Sequence, residues 1–146
     1  MENQITTEPI KKKIKLDFKD SKYATGRRKK SIAKVWLKKG SGLMHVNGKK
    51  MIDYFIKKNL QIAVFRPLTI VERENEFDVR CSVKGGGHTG QAGAIVHGLS
   101  RAIILFEPEL KSTLKKEKLT TRDSRSVERK KYGRRKARRS YQFSKR

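Results

Sequence analysis

Acidic residues are scarce in this sequence, with 14 aspartates and glutamates against 38 lysines and arginines and a formal net charge of +24. A chain of 146 residues has room for one domain with a modest core, and cations at this density repel one another. We therefore expect a polyanion as the main partner. A membrane is the weaker candidate, because the one compact apolar helical pattern is short and is interrupted by His97, Ser100 and Arg101.

Cysteine is nearly absent as well. The single Cys81 excludes an internal disulfide bond and is typical of a reducing compartment, and its place in an alternating strand pattern predicts a buried, unreactive thiol. Residues 1–22 lack the apolar core of a signal peptide, and their acids and lack of arginine argue against an organelle transit peptide. We interpret residues 1–22 as a flexible N-terminal extension.

The stretch at residues 83–106 marks a change from a strand pattern to a helix pattern, and the other predicted elements are arranged around it. Before it, residues 77–84 alternate apolar and polar side chains, which predicts a strand with one buried face. Residues 92–106 place apolar side chains at three- and four-residue spacing, which predicts a helix. Between them, residues 85–93 read GGGHTGQAG, and these glycines permit a sharp turn and a close approach by another backbone.

A glycine loop that opens a helix presents unpaired N–H groups and the positive end of the helix dipole to an anion. Gly85, Gly87 and Gly90 match the dinucleotide fingerprint, but no strand with an acidic residue follows. No Gly-Lys-Ser/Thr closes the loop either, which argues against a phosphate-loop nucleotidase. Two interpretations stay open: the glycines only permit close packing of helix on strand, or they let a nucleic-acid phosphate approach.

The region before this centre predicts a hairpin. Residues 31–38 and 43–46 are expected to form two antiparallel strands joined by the turn residues 40–42, and Asn47-Gly48 ends the second strand. Residues 24–30 are expected to be a basic lead-in to the first strand.

The next segments predict a helix, a strand and a turn. Residues 49–60 are typical of a helix, and Pro67 is expected to interrupt the chain before a strand at residues 68–71. Residues 72–76 are polar enough for the turn into the strand at 77–84. After residue 106, Pro108 suits a first helical position.

The C-terminal region loses its apolar pattern. Thr120 and Asp123 match a weak capping box, but from Ser124 onward apolar residues are too sparse to offset the entropy of ordering the backbone. We expect this segment to stay extended until an anion neutralises it.

The last eighteen residues contain no acid, and their arginine bias favours RNA, because guanidinium planes fork onto phosphates and stack on unpaired bases. Tyr132, Tyr141 and Phe143 are interleaved among the cations and can stack in the same way. A nuclear-localisation or DNA-coating tail is the competing interpretation. The cations are Arg129, Lys130, Lys131, Arg134, Arg135, Lys136, Arg138, Arg139, Lys145 and Arg146.

Three histidines and Lys84 would be the candidates for an RNA-cleaving enzyme. His45 falls in a short strand and His97 on an apolar helix face, where a packed, hydrogen-bonded imidazole is the commoner outcome. The histidines also lack the cysteine or carboxylate spacing of a metal site. His88, in the glycine loop, is the best candidate for contact with phosphate. We expect binding without catalysis, no metal and no cofactor.

Short blocks spread over residues 23–146 form a recognisable series. They are ATGRRK at 24–29, VNG at 46–48, VKGGG at 83–87, GQAGAI at 90–95, HG at 97–98, SRA at 100–102, LT at 119–120, RD at 122–123, VERKK at 127–131, KARR at 136–139 and QFSKR at 142–146. In this order and at this spacing, the series closely resembles the bacterial type of the ribosomal protein S9 family.

The resemblance implies an α+β fold, a two-layer arrangement like the second domain of ribosomal protein S5, with a sheet and helices on one side. It implies a globular rRNA-binding domain at residues 23–120 and an extended basic C-terminal tail at residues 121–146. It also implies a structural role in the small ribosomal subunit of the cytoplasm rather than of an organelle. The implied partners are 16S-type rRNA in the subunit head, tRNA in the peptidyl site and neighbouring head proteins, with no membrane and no free homo-oligomer.

On this basis two sets of contact residues are predicted. Ser144, Lys145 and Arg146 are expected near the anticodon stem-loop of the tRNA. The predicted rRNA contacts are Arg27, Arg28, Lys29, Lys30, Lys84, Gly86, Gly87, His88, Thr89, Gln91, Arg122, Arg125, Arg129, Lys130, Lys131, Arg134, Arg135, Lys136, Arg138 and Arg139.

Three places in the tail depart from the family pattern. Ser124, Tyr132 and Ser140-Tyr141 stand where the family often has proline. Without those prolines the free tail is less extended and loses more entropy when it is ordered.

Overall fold

A computed structural model describes residues 19–143 and residue 145. The predictions for residues 1–18 of the N-terminal extension, for Ser144 and for Arg146 lie outside the described residues. The strands are β1 (Lys22–Arg28), β2 (Ser31–Lys39), β3 (Met44–Val46), β4 (Lys49–Lys50) and β5 (Phe77–Lys84). The helices are α1 (Met51–Tyr54), α2 (Lys58–Val71), α3 (His88–Phe106) and α4 (Lys111–Lys116), with a 3-10 turn at Pro108–Leu110.

The five strands form one mixed sheet in the order β1-β2-β5-β3-β4. All pairs are antiparallel except β3 with β5, which run parallel. Helices pack on one face of this sheet, so the predicted α+β fold with helices on one side is confirmed.

Alternation places the core between the sheet and the helices. In β2 and β5 every second side chain is buried, as the sequence pattern predicts. On α3 the buried stripe recurs at helical spacing and includes Ile95, Leu99 and Ile103. Burying each such side chain stabilises the fold by about 1.5–3 kcal/mol. Cys81 lies in this core, and burial raises the pKa of its thiol to about 12, as expected of an unreactive thiol.

Close contact between β1 and α3 depends on two glycines. A Cβ at Gly26 would overlap the carbonyl oxygen of Ala94 and the amide nitrogen of Gly98. A Cβ at Gly98 would come within 2.8 Å of the Val35 side chain. The helix therefore lies directly on the backbone of β1, which sets the position of the N-terminal turn of α3.

The predicted hairpin between residues 31–38 and 43–46 is wrong. β2 pairs on its two edges with β1 and β5, and β3 pairs with β5 and β4. Residues 24–30 are not a lead-in, because residues 24–28 belong to β1 and Lys29-Lys30 is the turn that joins β1 to β2. The basic run concealed this strand, since only Ala24 and Gly26 of it are buried. The Asn47-Gly48 turn is confirmed, and it joins β3 to β4.

The predicted strand at residues 68–71 is also wrong. Residues 58–71 form one helix, and Pro67 lies inside it. Val64, Leu68 and Val71 are buried at helical spacing beside Pro67, so core packing outweighs the hydrogen bond that proline cannot donate. The single helix expected at residues 49–60 is divided into β4, α1 and the start of α2. The turn at residues 72–76 is confirmed.

Two helix boundaries differ from the sequence prediction. α3 begins at His88, so Gly90 and Gly93 lie in its first turns and only residues 85–87 form the loop. No helix follows Thr120 in the described part of the chain, and the capping-box prediction there is wrong. Pro108 begins the 3-10 turn that leads into α4, as expected.

Candidate nucleic-acid interface

The glycine loop joins the end of β5 to the start of α3. Gly85 and Gly86 have φ values of +75° and +61°, a backbone region that favours glycine, and this turns the chain sharply away from the sheet. The Ser31 hydroxyl donates a hydrogen bond to the Gly85 carbonyl at 3.0 Å and holds the loop against the start of β2. The loop is therefore fixed by the protein's own contacts.

The N-terminus of α3 points out of this loop without a side-chain cap. Gly87 is the residue at the capping position, and its φ of −108° is accessible to any residue. A Cβ at Gly87 would find no atom within 4 Å. Internal packing therefore does not explain this glycine. The first N–H groups of a helix have no intrahelical partner, so a backbone donor set and a positive dipole end lie beside open space.

Tyr54 supports the loop from the opposite side. Its hydroxyl donates to Oε1 of Gln91 at 2.8 Å, and Nε2 of Gln91 donates to the Gly85 carbonyl at 3.2 Å. The exposed His88 ring lies edge-on to Tyr54, with ring centroids 5.7 Å apart. Gln91 thus has partners within the protein, whereas His88 and Thr89 lie on the surface beside the uncapped N-terminus. Sequence reasoning missed Tyr54 and Ser31, whose contacts join segments far apart in the chain.

Several predicted cations surround the loop. The exposed Lys29-Lys30 turn lies against it, because a Cβ at Gly85 would come within 2.6 Å of the Lys30 carbonyl oxygen. Lys84 immediately precedes the loop. Arg28 crosses α3 beside Gly93 and pairs with Asp123. Arg27 instead lies on the open face of the sheet and is exposed.

The start of the tail is attached to this region. The Arg27 N–H donates to Nδ1 of His97 at 3.2 Å, and the ring of His97 also hydrogen-bonds the backbone of Thr120. Partial burial lowers the pKa of His97, and the charge of Arg101 lowers it further. The neutral imidazole therefore links β1 to the first residues of the tail.

Asp123 forms a second attachment. Its carboxylate pairs with Arg28 and with Arg125, whose Nη2 lies 2.7 Å from Oδ2. Hydrogen bonds from Arg125 lower the pKa of Asp123, and the Arg28 side chain contributes in the same direction. Arg125 is thus engaged within the protein, while Arg122 is exposed.

Beyond Asp123 the described residues of the tail contain no helix or strand. A small loop closes where the Arg135 N–H donates to the Arg139 carbonyl at 2.9 Å. Glu128 pairs with Lys131 and, at 2.9 Å, with Arg138. The tail is therefore bent at residues 131–140 and not extended throughout. Its aromatic residues Tyr132, Tyr141 and Phe143 are exposed, so their rings are accessible.

The histidine predictions have mixed outcomes. His97 is hydrogen-bonded as expected. His45 is buried, but within the described residues neither of its ring nitrogens has a hydrogen-bond partner, so that part of the prediction is wrong. Among residues 19–143 and 145, no cluster of three or more His, Cys, Asp or Glu could hold a metal ion. None of the described helices is long and apolar enough to cross a membrane.

The structure thus brings the predicted contact residues into three places. Lys29, Lys30 and Lys84 lie around the glycine loop with His88 and Thr89, while Arg27 lies on the open sheet face. The tail residues lie on an exposed strand-free segment. One comparison with known proteins bears on this arrangement: the sequence model of the family described as ribosomal protein S9/S16 matches residues 26–146.

Proposed function

This chain belongs to the ribosomal protein S9/S16 family, and we propose on that premise that it binds small-subunit rRNA through two separate surfaces, the glycine loop and the basic tail. Membership makes it a structural protein of the small ribosomal subunit that binds rRNA. The finer proposal is that the rRNA is of the 16S type and lies in the head of the subunit, with head proteins as neighbours and a cytoplasmic ribosome as the location.

The single observation that carries the loop surface is Gly87. This residue needs no special backbone angle and no internal space, yet it stands at an uncapped helix N-terminus beside basic residues. A phosphate at this position would accept hydrogen bonds from the first N–H groups of α3 and favourable charge from the helix dipole. Lys29, Lys30 and His88 surround the same opening and would contact adjacent phosphates.

The tail surface is supported by charge and exposure. Ten basic residues and no acid lie in the last eighteen positions. Of these, Arg129, Lys130 and Lys136 are exposed, and the aromatic rings between them have no core to pack against. Such a segment gains most when phosphates neutralise it and unpaired bases stack on its rings.

The end of the tail is proposed to reach the tRNA in the peptidyl site. Lys145 is the last described residue, and Ser144 and Arg146 flank it in the sequence. Lys145 lies on a basic segment whose described residues form no helix or strand, and such a segment can enter a crevice between RNAs that the domain cannot enter. We therefore assign the anticodon stem-loop contact to these three residues.

A negative charge introduced at one position tests the loop surface. Gly87→Asp gives α3 an N-terminal cap and stabilises the fold by a few tenths of a kcal/mol, because Asp caps a helix better than Gly. The same carboxylate repels phosphate, so rRNA affinity should fall by about tenfold or more, measured by filter binding. Gly87→Asn is the matched control, since it caps the helix without a charge. Equal rRNA affinity for both variants and the wild type would remove the loop from the interface.

A short truncation tests the tRNA contact. Removal of Lys145 and Arg146 should leave incorporation into the small subunit unchanged, because the loop and the remaining tail cations persist. Retention of tRNA in the peptidyl site should weaken, and the measurement is the tRNA dissociation rate from purified subunits. A Lys130→Ala, Lys136→Ala variant removes the same charge elsewhere in the tail and is the control. If the truncated chain retains tRNA as long as the wild type, the terminal contact is refuted.

A further inference from the structure

The sheet face opposite the helices carries a row of side chains that the loop and tail surfaces do not use. Tyr23 on β1 pairs with Trp36 on β2, and Trp36 pairs with Arg80 on β5. The Tyr23 and Trp36 ring centroids lie 5.3 Å apart at an interplanar angle of 43°, and Cζ of Arg80 lies 5.8 Å from the Trp36 ring centroid. Three neighbouring strands therefore present two aromatic rings and a guanidinium group side by side.

A depression lies next to this row. It has a volume of about 320 Å³ and is lined by Ile32, Lys34, Trp36, Ser82 and Lys84. Its apolar part is formed by Trp36 and by Ile32, a residue that is 44% exposed. Two lysines and a hydroxyl form the polar part. The volume is at the lower end of the range for small-molecule sites, about 300–1,000 Å³.

The charge of this face distinguishes between classes of partner. Lys34 and Lys84 flank the depression, and Arg27 and Lys38 project from the same face of β1 and β2. In β5 the acid on this face is Asp78, whose carboxylate accepts N–H bonds from Ser41 and Leu43 at the strand's end. Lysine is depleted at the core of protein interfaces but is a common ligand of phosphate. Aromatic rings with lysines at their border are typical of single-stranded nucleic-acid sites on sheets.

We propose that this outer sheet face binds an unpaired segment of rRNA, with a base against the Tyr23 and Trp36 rings and phosphates on Lys34 and Lys84. The inference rests on the proposed function, since it takes rRNA as the partner, and adds a third surface to the loop and the tail. Lys84 connects the new surface to the glycine loop, because it ends β5 immediately before Gly85. A strand of RNA that crosses the sheet would therefore continue towards the start of α3.

Trp36 is the only tryptophan, so its fluorescence reports this face directly. The full chain is titrated with small-subunit rRNA, while sedimentation measures binding independently. The expected result is quenching of the Trp36 emission, a several-fold loss of its accessibility to acrylamide, and ultraviolet crosslinks between a nucleotide and Tyr23 or Trp36. Full rRNA binding with Trp36 still accessible overturns the inference alone. Failure to bind rRNA at all overturns the proposed function. A crosslink from Trp36 to a neighbouring protein in the assembled subunit also overturns the inference and identifies a protein-binding face.

Substitutions separate stacking from folding. Trp36→Leu should weaken binding to a head-domain rRNA fragment by roughly 5- to 160-fold, the range expected on loss of one base stack, and Trp36→Phe should retain most of the affinity. Lys34→Ala should reduce the salt dependence of rRNA affinity. Lys115→Ala is the charge-matched control, because Lys115 is an exposed lysine on α4. Thermal unfolding shows whether each variant folds. If Trp36→Leu does not fold, the Lys34→Ala variant tests the inference instead. An rRNA affinity of Lys34→Ala equal to that of Lys115→Ala then overturns the inference.

Discussion

The folded domain and the tail hold their cations in different ways. In the domain, Arg28 is fixed by Asp123 and Arg101 donates to the Thr25 carbonyl at 2.7 Å, so the scaffold positions these groups. In the described tail beyond Asp123, Glu128 is the one acid, and it pairs with Lys131 and Arg138 on exposed surface. The domain therefore presents a preorganised surface, whereas we expect the tail to acquire its working conformation when it binds rRNA.

A bulky side chain at Gly26 should destabilise the folded domain more than any other change proposed for it. Gly26→Val places side-chain atoms into the Ala94 carbonyl and the Gly98 backbone, and neither can move without displacing α3 from β1. The free energy of unfolding should fall by roughly 3 kcal/mol or more, measured by urea denaturation. Gly133→Ala, in the tail loop where a Cβ would meet no atom within 4 Å, is the contrasting variant, although its φ of +69° adds local strain. A Gly26→Val protein as stable as the wild type would contradict the close packing of β1 on α3.

Deletion of the tail should separate binding from stability. Removing residues 129–146 leaves every core contact in place, so the free energy of unfolding should change by less than about 0.5 kcal/mol. If about five of the lost cations meet single-stranded phosphates, the slope of log affinity for rRNA against log salt should change by roughly 3 to 4. Denaturation and filter binding at several salt concentrations give the two values. An unchanged slope would show that the tail takes no part in binding.

The pH dependence of stability tests the attachment between domain and tail, and here we expect the smallest change. The pKa of His97 is lowered in the folded state, so below about pH 6.5 the unfolded chain binds a proton that the folded chain resists. Stability conferred by His97 is therefore full above that pH and declines as the pH falls towards the folded pKa. Relative to His97→Gln, the wild type should lose stability between pH 7.5 and 5.5 in urea titrations. All other ionisable groups are common to both proteins, so the difference isolates His97. A constant difference would contradict the lowered pKa.

The strand, loop and helix at residues 77–106 could be predicted because their periods of two and 3.6 residues are set by local burial. β1 could not be predicted, because only Ala24 and Gly26 of its residues are buried, and the basic residues beside them conceal the alternation of a strand. Nor could the parallel pairing of β3 with β5, which joins segments more than thirty residues apart. The strand prediction after Pro67 was wrong because burial of the apolar stripe of α2 outweighs the tendency of proline to end a helix.

The candidate site also has features that the sequence predicts and features that it does not. The glycine loop and the basic tail are visible in composition and spacing. The contacts that hold the loop and the start of the tail cannot be seen in the sequence. The Tyr54–Gln91 and Arg28–Asp123 contacts join residues that are far apart in the chain. The row formed by Tyr23, Trp36 and Arg80 also depends on strand register, which the wrong hairpin prediction concealed.

We expect the two attachments at Thr120 and Asp123 to influence the order of ribosome assembly. Because His97 and Arg28 fasten these residues to the domain, the direction in which the chain departs is decided by protein contacts before any nucleotide is met. A domain that docks first would then hold the start of the tail in a fixed direction. We expect the domain to dock on rRNA before the tail enters it, because His97 and Arg28 already hold the start of the tail.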